Sequence, residues 1–193
     1  FPKKGNKFII AKNDNNQNAI ISYINLNEDE VEAMPLAFNS NNRIRILNQL
    51  LNEPYGWGGL LNNRDCSSFT QDYFATFGKF LHRNSKSQTT NGKFLDMSNL
   101  SIEEKKDFIR KNGVPFSTLV YLKGHIMLYV GVKNNEPLVV HNIWSVRLKD
   151  DSGRKYRYII GKATLTTLEP GMGMKDFDED TNILKRLTGI TIL

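Results

Sequence analysis

One cysteine and three histidines are the residues of this chain best suited to nucleophilic chemistry. Cys66 follows Asp65 where a helical pattern begins, with Phe69, Tyr73, Phe77 and Phe80 recurring on one face of a helix expected over 66–80. At a helix start the backbone N–H groups lack partners and the dipole favours negative charge, so a thiol there is expected to ionise readily. The same first-turn N–H groups, that of Cys66 included, could receive the oxyanion of a tetrahedral intermediate. A lone Cys excludes an internal disulfide and a zinc site of several thiolates, leaving an inert buried thiol or a reactive one.

A thiol nucleophile needs a base. His82 lies beyond the end of the expected helix, about 24 Å from Cys66 at 1.5 Å per residue, and reads as a surface or C-capping residue. His125 follows Gly124 at the start of a strand, and His141 closes the next strand after Leu138, Val139 and Val140. A hairpin folded near Lys133 would set His125 and His141 across from each other on one face. Folding about Asn134-Asn135 would offset them by roughly three residues, so the register decides what the pair can do.

Two histidines at one strand end have three readings. They could serve a thiolate as base and orienting partner, complete a three-ligand zinc site with Cys66, or be satisfied structural residues. No His-x-Glu or Cys-x-x-Cys companion supports the metal, so the first reading is preferred and no cofactor or metal is expected.

The elements around these residues are short. Residues 7–11, 19–26 and 33–38 read as strands split by polar turns, the first of them rich in Asn. Ser40 could cap a helix over 43–51 with Ile44, Leu47 and Leu51 on its apolar face. A Gly-rich turn, Pro54-Tyr55-Gly56-Trp57-Gly58-Gly59, precedes the Cys66 helix, and Ser101 with Glu104 marks a capping box before a third helix over 101–111. From 118 onward strands are expected at 118–122, 125–132, 137–143 and 157–163, and a short helix at 182–187. Helices first and strands after imply an α+β fold with an antiparallel sheet.

The chain has 193 residues, 39% hydrophobic and 24% charged, enough for one core and a small appendage. No stretch is apolar enough to cross a bilayer, and residues 1–7 lack the features of a secretory signal. A formal charge of +6 favours polyanionic surroundings, yet the lysines and arginines are scattered and no nucleic-acid motif is present. A monomer that does not bind nucleic acid is expected.

The ordered pieces Pro54-Tyr55-Gly56-Trp57-Gly58-Gly59, Asp65-Cys66-Ser67-Ser68-Phe69, Arg83-Asn84-Ser85 with Gln88, Gly124 through Gly131, and Val140-His141-Asn142 resemble the NlpC/P60 family over 43–163. The resemblance implies a papain-like core in which Cys66, His125 and His141 carry the catalysis. It implies cleavage of the D-γ-glutamyl bond to a diamino acid, usually meso-diaminopimelate, in peptidoglycan peptides, at the cell envelope, in the periplasm or after secretion. Tyr55, Asp65 and Ser67 would line the acceptor pocket, the Asp65 carboxylate pairing with a terminal amine; a plain N-cap is the simpler role for Asp65. Residues 1–40 resemble the tail of a bacterial SH3 domain, 41–170 would be the catalytic domain, and 171–193 a tail. The family more often has Gly where Ser68 stands and Pro where His82 stands, departures that could narrow the groove. The other functions to weigh are an N-acetylmuramoyl-L-alanine amidase and a non-catalytic wall-binding module.

Overall fold

The structure is a computed structural model that describes residues 3–4, 7–27 and 31–193. Residues 1–2, 5–6 and 28–30, which fall in the expected N-terminal β segment, lie outside the described residues. The chain divides into two units, Phe1–Leu36 and Ala37–Leu193.

In the first unit, β1 (Lys3–Lys4), β2 (Lys7–Asn13) and β3 (Ala19–Ile24) form an antiparallel sheet in that order. The Asn-rich turn is closed by Asp14, whose Oδ1 accepts the N–H groups of Asn16 and Asn18, both at 2.8 Å. The strand expected at 33–38 does not form. The SH3-like assignment rests on resemblance alone.

The second unit begins with α1 (Ser40–Leu50). Its cap is Asn39, whose side chain accepts from Asn42 N–H at 2.9 Å, one residue ahead of the expected Ser40. The helix buries Ile46, Leu47 and Leu50, while Ile44 stands exposed, so its apolar face is rotated from the expected one. After a 3₁₀ segment, Trp57–Asn62, come α2 (Cys66–Ala75), α3 (Ser85–Gln88), β4 (Lys93–Asp96) and α4 (Ile102–Asn112). The Ser101–Glu104 capping box forms as the sequence predicts. Helix α2 is shorter than expected: Phe69, Tyr73 and Phe77 are buried, but Phe80, beyond its end, is exposed.

The strands β5 (Thr118–Leu122), β6 (His125–Lys133), β7 (Glu136–Lys149) and β8 (Lys155–Thr167) follow, then α5 (Ile183–Arg186) and β9 (Leu187–Ile192). Six strands make one antiparallel sheet in the order β4-β9-β5-β6-β7-β8. Residues 171–193 therefore contain a strand that lies between β4 and β5, with Ile190 wholly buried. A core of Met97, Ile109, Val120, Met127, Leu168, Leu184 and Ile190 ties that strand to the α4 side of the sheet.

The β6–β7 hairpin turns at Asn134-Asn135, both at positive φ, with Lys133 opposite Glu136. A regular ladder from that turn would put His125 and His141 three residues out of step and on opposite faces. The ladder is not regular: Tyr129 pairs with Val139, Gly131 with Leu138, and Val130 bulges between them. Beyond the bulge Leu128 pairs with Val140, and the next step sets His141 opposite Met127, two residues from His125. An even offset puts both imidazoles on one face, within diagonal reach.

Candidate active site

Helix α2 starts on a closed capping box. Asp65 Oδ1 accepts the N–H groups of Ser67 at 3.1 Å and Ser68 at 2.9 Å, and Asp65 N–H donates to Ser68 Oγ at 2.9 Å. Ser68, a departure from the family pattern, thus completes the cap. With those donors engaged, Cys66 N–H is the first-turn amide left with no acceptor among the described residues beyond its own sulfur. The expected oxyanion donor narrows to this one group.

Arg83 clamps the same carboxylate from the other side. Its Nη1 donates to Asp65 Oδ1 at 3.0 Å and to Ser67 Oγ at 2.9 Å, and its Nη2 donates to Asp65 Oδ2 at 2.7 Å. Burial pushes the Asp65 carboxyl up, but the Arg83 and Ser68 hydrogen bonds outweigh it and hold the group down at about 2. Asp65 is both N-cap and ionised carboxylate. Gln88, fully buried, ties down the first turn of α2, its Nε2 donating to Ser67 O at 2.8 Å and His82 O at 2.9 Å. His82 itself is exposed, as the sequence predicts.

Cys66 is buried. Burial raises its thiol to about 11; the amide of Ile126, which bonds to the sulfur, and the helix-start amides pull the other way without overcoming it. The readily ionised thiol expected from helix position is therefore not what this environment gives: desolvation wins over the dipole. The Ile126 contact sets the sulfur against the start of β6, where His125 is the adjoining residue. No hydrogen bond joins Cys66 to His125 among the described residues, a contact that often tightens only with substrate bound.

The histidines form a directed relay. His125 Nε2 lies 2.7 Å from His141 Nδ1, and His141 Nε2 lies 3.0 Å from Thr166 Oγ1. The Thr166 hydroxyl donates its one proton to Thr167 O at 2.7 Å, so it accepts from His141. His141 then carries its proton on Nε2 and accepts at Nδ1, His125 donates from Nε2, and His125 Nδ1 is left as the unprotonated nitrogen. Burial lowers both imidazoles, with the Arg186 charge adding to it at His125, which falls to about 4. The nitrogens a metal would need to bridge the pair are instead bonded to each other, which argues against the zinc reading.

Tyr55 is brought in by backbone pairing. Its N–H donates to Gly161 O at 2.8 Å, and Gly56 N–H to Arg64 O at 2.8 Å. A Cβ on Gly56 would come within 2.6 Å of Asn63 and Leu60, so only glycine allows this close approach. Tyr55 lies within the electrostatic reach of Cys66 and Asp65, packs against Trp57 and Trp144, and lines a groove that runs on to His125.

The model of the NlpC/P60 family matches residues 52–159. The chain belongs to the NlpC/P60 family. Members of this family are cysteine peptidases, and the mixed α and β fold with its antiparallel sheet fits theirs.

Two solved structures share the fold. An NlpC/P60 endopeptidase from Photobacterium damselae subsp. piscicida is 24% identical with a TM-score of 0.85, covering 99% of this chain and 47% of its own. An NlpC/P60 family protein from Bacillus cereus is 15% identical with a TM-score of 0.57, covering 99% of this chain and 52% of its own. The chain spans about half the length of each. No protein of curated function matches it in sequence.

The NlpC/P60 match takes in Tyr55, Asp65, Cys66, Ser67, His125 and His141, but it ends before Thr166 and Arg186. Thr166 lies beyond the strand expected at 157–163 and carries no sequence signal, since its role depends on the extension of β8 to Thr167 and the β7–β8 pairing of Val139 with Thr166. Arg83 lies in the Arg83-Asn84-Ser85 motif, but nothing local in the sequence gives its partner, Asp65, 18 residues away. Among the described residues no helix is long and apolar enough to cross a membrane.

Proposed function

We propose that the protein is a peptidoglycan endopeptidase that hydrolyses the D-γ-glutamyl bond to a diamino acid, with Cys66 as nucleophile, His125 as general base and acid, and His141 as its orienting partner. The observation that carries this reading is the relay from Thr166 through His141, which leaves a bare nitrogen on His125, the residue next to the one whose amide holds the Cys66 sulfur. The catalytic unit in this reading is residues 37–193, because β9 completes the sheet.

Thiol and imidazole start as a neutral pair. As the sulfur attacks the γ-glutamyl carbonyl carbon, the thiol proton passes to His125 Nδ1 and the oxyanion meets Cys66 N–H. His125 then gives that proton to the departing amine as the C–N bond breaks, leaving a thioester on Cys66. Water attacks the thioester, His125 Nδ1 takes its proton and returns one to the sulfur, and the free γ-carboxyl product leaves. Tyr55, Asp65 and Ser67 hold the acyl-side peptide; the Asp65 carboxylate, kept ionised by Arg83, attracts a free amino terminus. The substrate makes the cell envelope the place of action.

The test is digestion of purified peptidoglycan peptides with mass analysis of the products. The expected products are a peptide ending in γ-glutamate and one beginning with the diamino acid, and none from Cys66→Ala. Separation of the sugar from an intact peptide would mean the amidase reading instead, and equal release by Cys66→Ala would remove the nucleophile.

A further inference from the structure

The groove beside His125 has walls of one sign. Lys123, Arg147, Arg157 and Arg186 line it together with Tyr55 and Trp144, and no Asp or Glu does. None of the four cations forms an ion pair with a carboxylate of the described residues. Arg147 and Arg157 stand directly opposite each other in the β7–β8 ladder, a like-charge cross-strand pair that destabilises a sheet. Arg157 Nη1 is turned onto Ser145 Oγ at 2.9 Å, which leaves most of its donors unused. Arg186 comes from the α5 turn on another wall. Cations from three elements converging on one concave surface focus a positive potential there, and Arg is the residue whose planar fork matches a carboxylate.

We infer that Arg147, Arg157 and Arg186 form a carboxylate-binding subsite for the peptide substrate on the His125 flank of the active site. The inference rests on the proposed function, and the chemistry of that substrate supplies the ligand. A γ-linked glutamyl residue keeps its α-carboxylate free, and the leaving peptide carries another, at the second carboxyl of a diaminopimelate or at its own C-terminus. Both are within a residue or so of the scissile bond. An anion between Arg147 and Arg157 also relieves the repulsion that the free protein bears.

The experiment uses four peptides that differ only in whether the acyl-side α-carboxylate and the leaving-side carboxylate are free or amidated, cut by the parent protein, Arg157→Gln and Arg186→Gln. Amidating the recognised carboxylate should lower kcat/KM about ten- to a hundredfold, the worth of a charge-assisted hydrogen bond. Which arm shows the loss names the source. The arginine variants should lose activity on the acid and discriminate less between acid and amide, while Arg157→Gln raises the thermal midpoint of the free protein. If acid and amide are cut alike, the subsite is wrong and the endopeptidase stands. Should no peptide be cut, the endopeptidase reading fails, and calorimetric titration of the Cys66→Ala protein with the same peptides decides the subsite: equal affinity for acid and amide overturns it.

Discussion

His125 and His141 meet at 2.7 Å because Val130 is squeezed out of the β6–β7 ladder. The bulge is held by Gly131 at φ 132, in a region where a side chain is strained although no atom within 4 Å would touch its Cβ. Gly131→Val should therefore cost about 1–3 kcal/mol in the bulged register, favour the regular ladder and turn His125 off the face of His141. Activity should fall to background. Deleting Val130 in the same variant removes the extra residue, restores the even offset without a bulge, and should recover activity. Kinetic assay of the single and double variants checks this, and no recovery in the double variant counts against the register argument.

The relay ends on a hydroxyl, which gives a second expectation. Thr166→Val leaves His141 Nε2–H without its acceptor, costing about 1–3 kcal/mol of stability as an unsatisfied donor and loosening the tautomer of both rings. A fall in kcat of roughly five- to thirtyfold follows if about 1–2 kcal/mol of orientation is lost. Thr166→Ser keeps the oxygen and should keep most of the rate. Imidazole nitrogen chemical shifts of His141 would report the tautomer directly. A valine variant with unchanged shifts and rate would remove Thr166 from the relay.

Neutral thiol and neutral imidazole define the pH dependence of the free enzyme. With His125 lowered to about 4 and Cys66 raised to about 11, both groups hold their competent forms between those limits. The ratio kcat/KM, which reports groups of the free enzyme and free substrate, should fall on the acid side as His125 protonates near 4, stay level to about pH 7, and decline above about 8 as the substrate's amino terminus loses the charge that Asp65 attracts. Alkylation of Cys66 by iodoacetamide should keep accelerating past pH 9, as the thiolate fraction grows toward about 11. An alkylation plateau reached by about pH 8 would show a thiolate, and so an ion pair, in the resting enzyme.

Features carried by short-range pattern were legible in the sequence. The α2 start at Asp65-Cys66, the Ser101–Glu104 box and strands β5 and β6 depend on neighbours a few residues apart. Features set by long-range pairing were not. Strand β9 reads as the end of a tail because nothing local says that it fits between β4 and β5, and Arg186 went with it. The bulge at Val130 leaves no mark in composition, so the histidine register stayed open. The thiol combines both: its position at a helix start is a local feature, yet its ionisation depends on burial, which the sequence around Cys66 does not state.

Arg83, through its contact with Asp65, acts on both stability and binding. Asp65 sits below its ordinary range in the folded protein, so the pair stabilises fully above pH 4 and loses its effect as pH falls through about 2. Arg83 is 47% exposed against 13% for Asp65, so solvent screening keeps the bidentate contact to about 1 kcal/mol. Arg83→Gln should then lower the thermal midpoint by about 2–4 °C at pH 7, with the gap to the parent closing below about pH 2. The same change leaves Asp65 to Ser67 and Ser68 alone and lifts its carboxyl toward the usual range, so substrates with a free amino terminus should show a raised KM at pH 4 to 5. Acetylated peptides, which lack that amine, should show no such pH-dependent difference. Melting curves across pH and paired KM measurements check both halves, and a KM effect equal for free and acetylated peptides would assign Arg83 to the fold alone.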